Sequence, residues 1–366
     1  MTEDKRPELT RRAIEGIGPH RGNDWEIKPQ THRDLLPETG FADLKNILGQ
    51  APIKKLMEEY TDFDDKAGRA QTDYKSREKA RIWLFFAALA IGALSIIPVE
   101  RLLGPGVTSF MMAVQFIFVL IAIYLTINNL KNNQFNQWRD ARAKAERARC
   151  RLFEETLKAE IDPSAPDFTP TTPDELPVAL QKLEYVRRHH IEVQYDYFLG
   201  RGNQHLDNDV KRQTNLNLAR GLGTVSTLLL VLLAVAGIHN NLVGLGMAGE
   251  VASFLAPSGA WHDKLFIALG TIAIGLQATL TIDARIDNDV TNASQYHQAA
   301  RELAALYGDH LHAIRWQAAG DDLMPGLVWF RECNDLIVDE HKKWLEARSS
   351  DLEPLARLEE LVERAK

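Results

Sequence analysis

Cysteine is nearly absent: Cys150 and Cys333 are the two thiols in 366 residues, far apart and both in charged helical contexts. That excludes a disulfide framework and paired-cysteine zinc motifs, and fits free thiols in a reducing compartment. Basic excess is missing as well. The formal net charge is −7, whereas general nucleic-acid binding calls for a basic face, so no nucleic-acid partner is expected. The eleven histidines lack metal spacing. His189 and His190 are adjacent, His310 and His312 are two apart, and on a regular helix each pair diverges. HExxH and CxxC do not occur. Gly200-Arg201-Gly202 and Gly221-Leu222-Gly223 lack both the preceding strand and the full fingerprint of a phosphate-cradling loop. The expectation is therefore no metal, no cofactor, no catalytic constellation and no enzyme.

Uncharged length is what the chain does have. A mean hydropathy of −0.24 hides four apolar islands set in charged, helix-forming flanks. Residues 82–98 contain no Asp, Glu, Lys or Arg, and neither do 102–127. A hydrocarbon core of ~30 Å needs roughly 20 helical residues, so 107–127 suffices, and Arg81 and Arg101 can snorkel to lengthen 82–98. Residues 221–238 and 265–282 form the second pair. The expected fold class is all-α, a multi-pass membrane protein of two repeated transmembrane hairpins with long cytoplasmic helical extensions. The first 80 residues are charged and proline-interrupted, so the first span is expected to serve as the targeting signal.

Five domains follow from this pattern. Residues 1–50, with Pro7, Pro19, Pro29 and Pro37, form an arm with one or two short helices that docks on something larger. The first two-helix unit covers 51–160: a helix opens near Pro52 and runs unbroken into the first span, and the second span continues to about 161. Residues 161–177 hold five prolines, a semi-rigid linker. The second unit covers 178–320, its leading helix broken near Gly200 and Gly202. Two amphipathic cytoplasmic helices fill 321–366, the last capped by Ser350 or Asp351. Tyr296 with Ala299 and Ala300 echoes Trp138 with Ala141, which points to internal duplication. Trp138 lies too far beyond the lipid edge for an interfacial belt and suits packing in a helical bundle.

Orientation follows the positive-inside rule. Arg69, Lys75, Arg77, Lys79, Arg81, Lys131, Arg139, Arg142, Lys211, Arg212, Arg220 and Arg285 flank the spans on one side, against Arg101 and Lys264 in the hairpin loops. Both termini are expected in the cytoplasm of a cell whose inner membrane holds the protein. No ionisable residue lies inside a span, so the pore-lining candidates are uncharged: Gln115, Thr126, Thr271, Gln277 and Thr281, with Asn128 and Asp283 at the cytoplasmic mouths. Interhelical hydrogen bonding is the competing reading of the same residues. For Asp283, Asp287 and Asp289 the competing reading is a solvated helix face. The apolar loop 241–262 reads equally as an interfacial helix or a surface loop.

Trp138, Arg142 and Glu146 form W-x3-R-x3-E on the continuation of the second span. This arrangement resembles the SLATT domains, two-transmembrane prokaryotic effectors tied to nucleotide-signalling defence systems. Gln194-Tyr195, with Tyr197, is similar to that family's Q-x2-W-Y element without its tryptophan, and Phe330, Glu340 and Trp344 to its closing aromatic and E-x3-W. The resemblance covers 58–160 and 179–346. It implies a pore-forming, channel-like effector that depolarises the membrane when a sensor protein or nucleotide signal triggers it. A homo-oligomer in the lipid bilayer is expected. Two other readings stand beside it: a non-conducting membrane scaffold that recruits a cytoplasmic partner, and an ExbB/MotA-like proton channel. The last rests on the long cytoplasmic helix extensions and on Gly221-Leu222-Gly223-Thr224-Val225, similar to that family's glycine-rich span.

Overall fold

The computed structural model describes residues 5–97, 103–164, 175–244 and 261–350, apart from positions 23, 25, 26, 28, 35, 38, 133 and 288. Helices and connecting turns make up these residues, with no strand among them. In chain order they are α1 (Arg6–Ile17), α2 (Pro29–Asp34), α3 (Ala42–Gly49), α4 (Ala51–Ser95), α5 (Val107–Asn132), α6 (Gln134–Lys158) and α7 (Val178–Val186). A π-helical turn (Arg187–Glu192) follows, then α8 (Val193–Gly244), α9 (Trp261–Asp287), α10 (Asp289–Ala318) and α11 (Met324–Ser350). The all-α expectation holds.

The chain forms two compact units that cut across the sequence halves. The charge-rich unit is Met1–Gln71, Phe135–His205 and Thr291–Lys366; the apolar unit is Thr72–Gln134 and Leu206–Val290. Both hairpins of the sequence pattern thus contribute to each unit. Helix α4 starts with a proline in its first turn, where the missing N–H costs nothing. It runs 45 residues, and the Ser95 hydroxyl donates to the Gly92 carbonyl at 2.7 Å in its last turn.

Residues 1–50 were expected to dock on something larger, and that larger body is the chain's own charge-rich unit. Ala13, Ile17, Leu36, Phe41, Leu44 and Leu48 enter the core beside Leu152, Phe153, Leu180, Tyr185 and Trp329. Gly16 permits the approach of α1, because a Cβ there would lie 2.5 Å from Phe41 Cε2. Backbone and side-chain bonds lock the segment in place. Leu44 N–H donates to Gln181 Oε1 at 3.0 Å and Asn46 Nδ2 to the Asp162 carbonyl at 2.9 Å.

The expected break at Gly200 and Gly202 does not occur; α8 continues through both. The irregularity lies earlier, in the π-helical turn, whose Arg187, Arg188, His189, His190 and Ile191 are all buried. The regular helix α7 before it is buried at every position from Ala179 to Val186 as well, so this whole stretch is a central segment with neighbours on every side. His189 therefore faces His32 and Tyr185, with ring centroids 4.2 and 4.9 Å away, while His190 stacks on Phe153 at 4.6 Å.

In the apolar unit, Val107–Asn128 has a mean hydropathy of 2.5 with 6 % of its apolar window buried. It is the one helix among the described residues long and apolar enough to cross a membrane; Ile267–Asp283 is a shorter apolar helix. Of the expected loop 241–262, residues 241–244 end α8 and 261–262 open α9; residues 245–260, the linker core at 165–174 and the final helix beyond 350 lie outside the described residues.

Candidate functional site

Two groups of residues matter, one in each unit. In the apolar unit Gln115 is half-buried on α5, and its amide faces Gly92 of α4. A Cβ at Gly92 would sit 2.6 Å from Gln115 Nε2. The absent side chain lets the amide lie against the neighbouring helix. Hydroxyls on these helices turn back on their own backbone: Thr126 donates to Ala122, Thr271 to Ile267 and Thr281 to Gln277, each at 2.8 Å. Gln277 and Asn128 are half-buried. Asp283 faces Arg212 of α8 at 3.7 Å, both side chains mostly enclosed. Its charge is locally balanced rather than presented bare. The side chains of Asp287 and Asp289 lie outside the described residues.

The charge-rich unit gathers the W-x3-R-x3-E residues into its interior. Trp138 is buried with its ring edge-on to Phe135, centroids 5.8 Å apart. Helical spacing then places Arg142, Glu146 and Arg149 on the same side of α6 as the buried Ala145 and Ala148. Arg142 bonds Asp64 of α4 at 2.9 Å and Glu146 at 2.6 Å, and Arg149 pairs with Glu146. Glu146 is 8 % and Arg149 4 % exposed, so this ladder is desolvated and differs from a solvated helix face.

Burial alone would raise the Glu146 pKa, yet Arg142 and Arg149 outweigh it and hold the carboxyl at about 2. Burial likewise opposes the Arg142 charge, and Glu146 more than restores it. Tyr60 of α4 is driven upward by burial and then by Asp64. His190 is pushed well below its ordinary value by burial and by Arg149. Cys150 rises to about 11 and Cys333 to about 12, chiefly through burial, so both thiols stay protonated and unreactive at neutral pH.

The remaining motif residues sit on other helices of the unit, and Tyr296 and Glu340 among them come within electrostatic reach of the ladder. Tyr296 and Phe330 are core residues, Gln194 is buried, and Tyr195 packs against the core from a half-buried position. Glu340 of α11 is half-buried as a residue, but its Oε1 is fully enclosed. The Trp344 side chain lies outside the described residues. Asp64, Tyr60, Arg149, His190, Asn334 and His341 complete the ladder and escape a sequence reading. Only Arg149 left a signal there: Arg142, Glu146 and Arg149 stand at i, i+4 and i+7.

One open apolar cavity of about 500 Å³ is lined by Leu157, Lys182, Leu323 and Leu327 among others. In its wall Lys182 caps the end of α6, donating to the Leu157 carbonyl at 3.0 Å and the Ala159 carbonyl at 2.5 Å. No group of three metal-capable side chains occurs among the described residues. The ladder is chemically suited to holding helices in register and to storing charge.

Comparison with known proteins adds no relative: no family model, no curated protein and no solved structure matches the chain.

Proposed function

We propose that the chain is a multi-pass inner-membrane protein of the SLATT kind, an oligomeric, channel-like effector that permeabilises the membrane when a cytoplasmic partner or nucleotide signal engages its charge-rich unit. The observation that carries the membrane part of this reading is the outer surface of α5. Phe110, Met112, Phe116, Ile117, Leu120, Ile121, Ile123 and Tyr124 are each at least 41 % exposed. An apolar surface of this size has no place in water. Four spans, with both termini and the charge-rich unit in the cytoplasm, complete the proposal.

A non-conducting scaffold is the second reading, and the placement of Gln115 favours it. An amide seated on Gly92 serves interhelical packing, a modest stabilising contact of about 0.6 kcal/mol on average, without any need for a water-filled path.

Two measurements separate these readings. Phe116 is 62 % exposed on the chain, a surface that the membrane reading places against lipid. Cysteine at Phe116→Cys is expected to resist a membrane-impermeant maleimide in intact membranes and to react after detergent extraction. Labelling in intact membranes would refute insertion. Purified full-length protein in liposomes, read with a membrane-potential dye, is then expected to pass ions, and Gln115→Leu/Gln277→Leu to abolish that flux. Equal flux from the variant removes both glutamines from the path. Shielding at position 116 with no flux under any nucleotide tested selects the scaffold.

A further inference from the structure

Glu146 already has two arginine partners when a second carboxylate, Glu340, arrives from α11. Glu340 Oε1 is enclosed and has no hydrogen-bond partner. The charged and titratable groups that face Glu340 are Glu146 and Arg142 of α6, Tyr296 of α10 and Lys343 of its own helix. Behind them stand Asp64 and Tyr60 of α4, Arg149 of α6, His190 of the π-helical turn and His341 of α11, all acting on Arg142 or Glu146. Lys343 is partly occupied, since it bonds Asp339 at 2.7 Å and also feels Glu302 of α10.

Helix α11 is otherwise held by apolar packing and few polar bonds. Trp329, Phe330, Cys333 and Ile337 enter the core, Trp329 Nε1 donates to the Leu306 carbonyl at 3.0 Å, and His190 lies against Phe330. Past its midpoint the helix meets the ladder through Glu340 and His341. A buried carboxylate and a neighbouring one with an enclosed, unpartnered oxygen cannot both be ionised cheaply. Glu146 keeps its charge because Arg142 and Arg149 hold it, so the proton belongs on Glu340.

We propose that Glu340 is a proton-operated latch, which when protonated holds the end of α11 against α6 and when ionised beside Glu146 loosens it. The latch regulates the charge-rich unit and does not depend on whether the protein conducts.

Burial first, and the Glu146 charge second, raise Glu340 from 4.5 to about 7, against the weaker pull of Arg142 and Lys343. The latched form therefore retains a proton that the opened form loses. The stabilisation is complete below about pH 4.5 and is lost as pH rises through about 7. His190 and His341, both lowered chiefly by burial, act in the opposite sense: their contribution is present above 6.5 and lost as pH falls. Wild-type pH dependence is the sum of these opposed effects, so the informative quantity is a ratio in which the histidines cancel.

That ratio is available from hydrogen exchange of the α11 amides in the full-length protein in detergent, corrected for intrinsic rates. Wild type is compared with Glu340→Gln, which keeps the shape and removes the titration. Between pH 5.5 and 7.5 the opening constant of wild type relative to the variant is expected to rise about 20-fold. A ratio constant within about twofold would overturn the latch, since a merely structural Glu340 shifts both pH values equally. Should the variant not fold, wild type labelled at the glutamate carboxyl carbon decides the matter: a carboxyl titrating near pH 7 is expected, and none above pH 6 overturns the proposal.

Discussion

Glu146→Ala is expected to destabilise the charge-rich unit by about 3–5 kcal/mol, the usual result of removing one member of a buried ion cluster. Two arginines lose their shared counterion at once. Arg149 is 4 % exposed and has no other carboxylate bonded to it among the described residues; Arg142 keeps Asp64 at 2.9 Å. The larger part of the loss should therefore come from Arg149. This is testable by reference to a double variant. Glu146→Leu/Arg149→Met removes the stranded charge along with its partner, and apolar replacement of a whole buried pair is often neutral. Chemical denaturation of the full-length protein in detergent, followed by tryptophan fluorescence, should find the double variant more stable than Glu146→Ala by at least about 2 kcal/mol. A cost below about 1 kcal/mol for Glu146→Ala would place the ladder in water after all, as surface pairs cost that little.

Why the ladder was only half visible in the sequence follows from its geometry. W-x3-R-x3-E is local, and the buried Ala145 and Ala148 repeat at helical spacing beside it, so an inward-facing α6 was legible. A desolvated i,i+4 ion pair nevertheless has the same sequence signature as a solvated one. What separates them is the company brought by other helices: Asp64 from α4, His190 from the π-helical turn and Glu340 from α11. Those contacts join residues far apart in the chain, and no periodicity encodes them. The helices themselves were more legible, because α4 and α5 are uninterrupted runs whose composition changes along one continuous element. Gly200 and Gly202 misled for a physical reason. Glycine lowers helix propensity by about 1 kcal/mol, which a 52-residue helix packed on its neighbours easily absorbs. The π-helical turn left no sequence signal either: its side chains are buried on all sides, as are those of the regular helix α7 before it.

The N-terminal segment was the least legible part, and it provides the second large effect. Its four prolines and mixed charge look like a tether, while its attachment depends chiefly on arginine donors that the folded π-helical turn presents. Arg188 grips Asp24 through both carboxylate oxygens, at 2.7 and 2.9 Å, and donates also to the Ile17 carbonyl. Arg187 donates to the Gly18 carbonyl at 2.9 Å, and Glu192 accepts from the His20 N–H at 3.1 Å. Asp24 and Arg188 are 2 % and 4 % exposed. Asp24→Ala leaves the Arg188 guanidinium buried without its carboxylate, an expected loss of about 3–5 kcal/mol. Burial pushes the Asp24 pKa up, but the Arg188 hydrogen bonds and the Arg21 N–H together bring it down to about 2. Its contribution is accordingly full above the ordinary aspartate value of 3.8 and lost as pH falls through about 2. Asp24→Asn keeps the size and removes the charge, so it should reproduce most of the alanine effect at pH 7 and progressively less of it below pH 4. Proteolysis offers the direct measurement: in Asp24→Ala, cleavage between residues 18 and 40 should accelerate ahead of cleavage in α6 or α10, because the clasp opens before the core does. Simultaneous acceleration at all sites would mean that residues 1–50 and the core unfold as one cooperative body, in which case the segment is part of the bundle rather than a clasped strap.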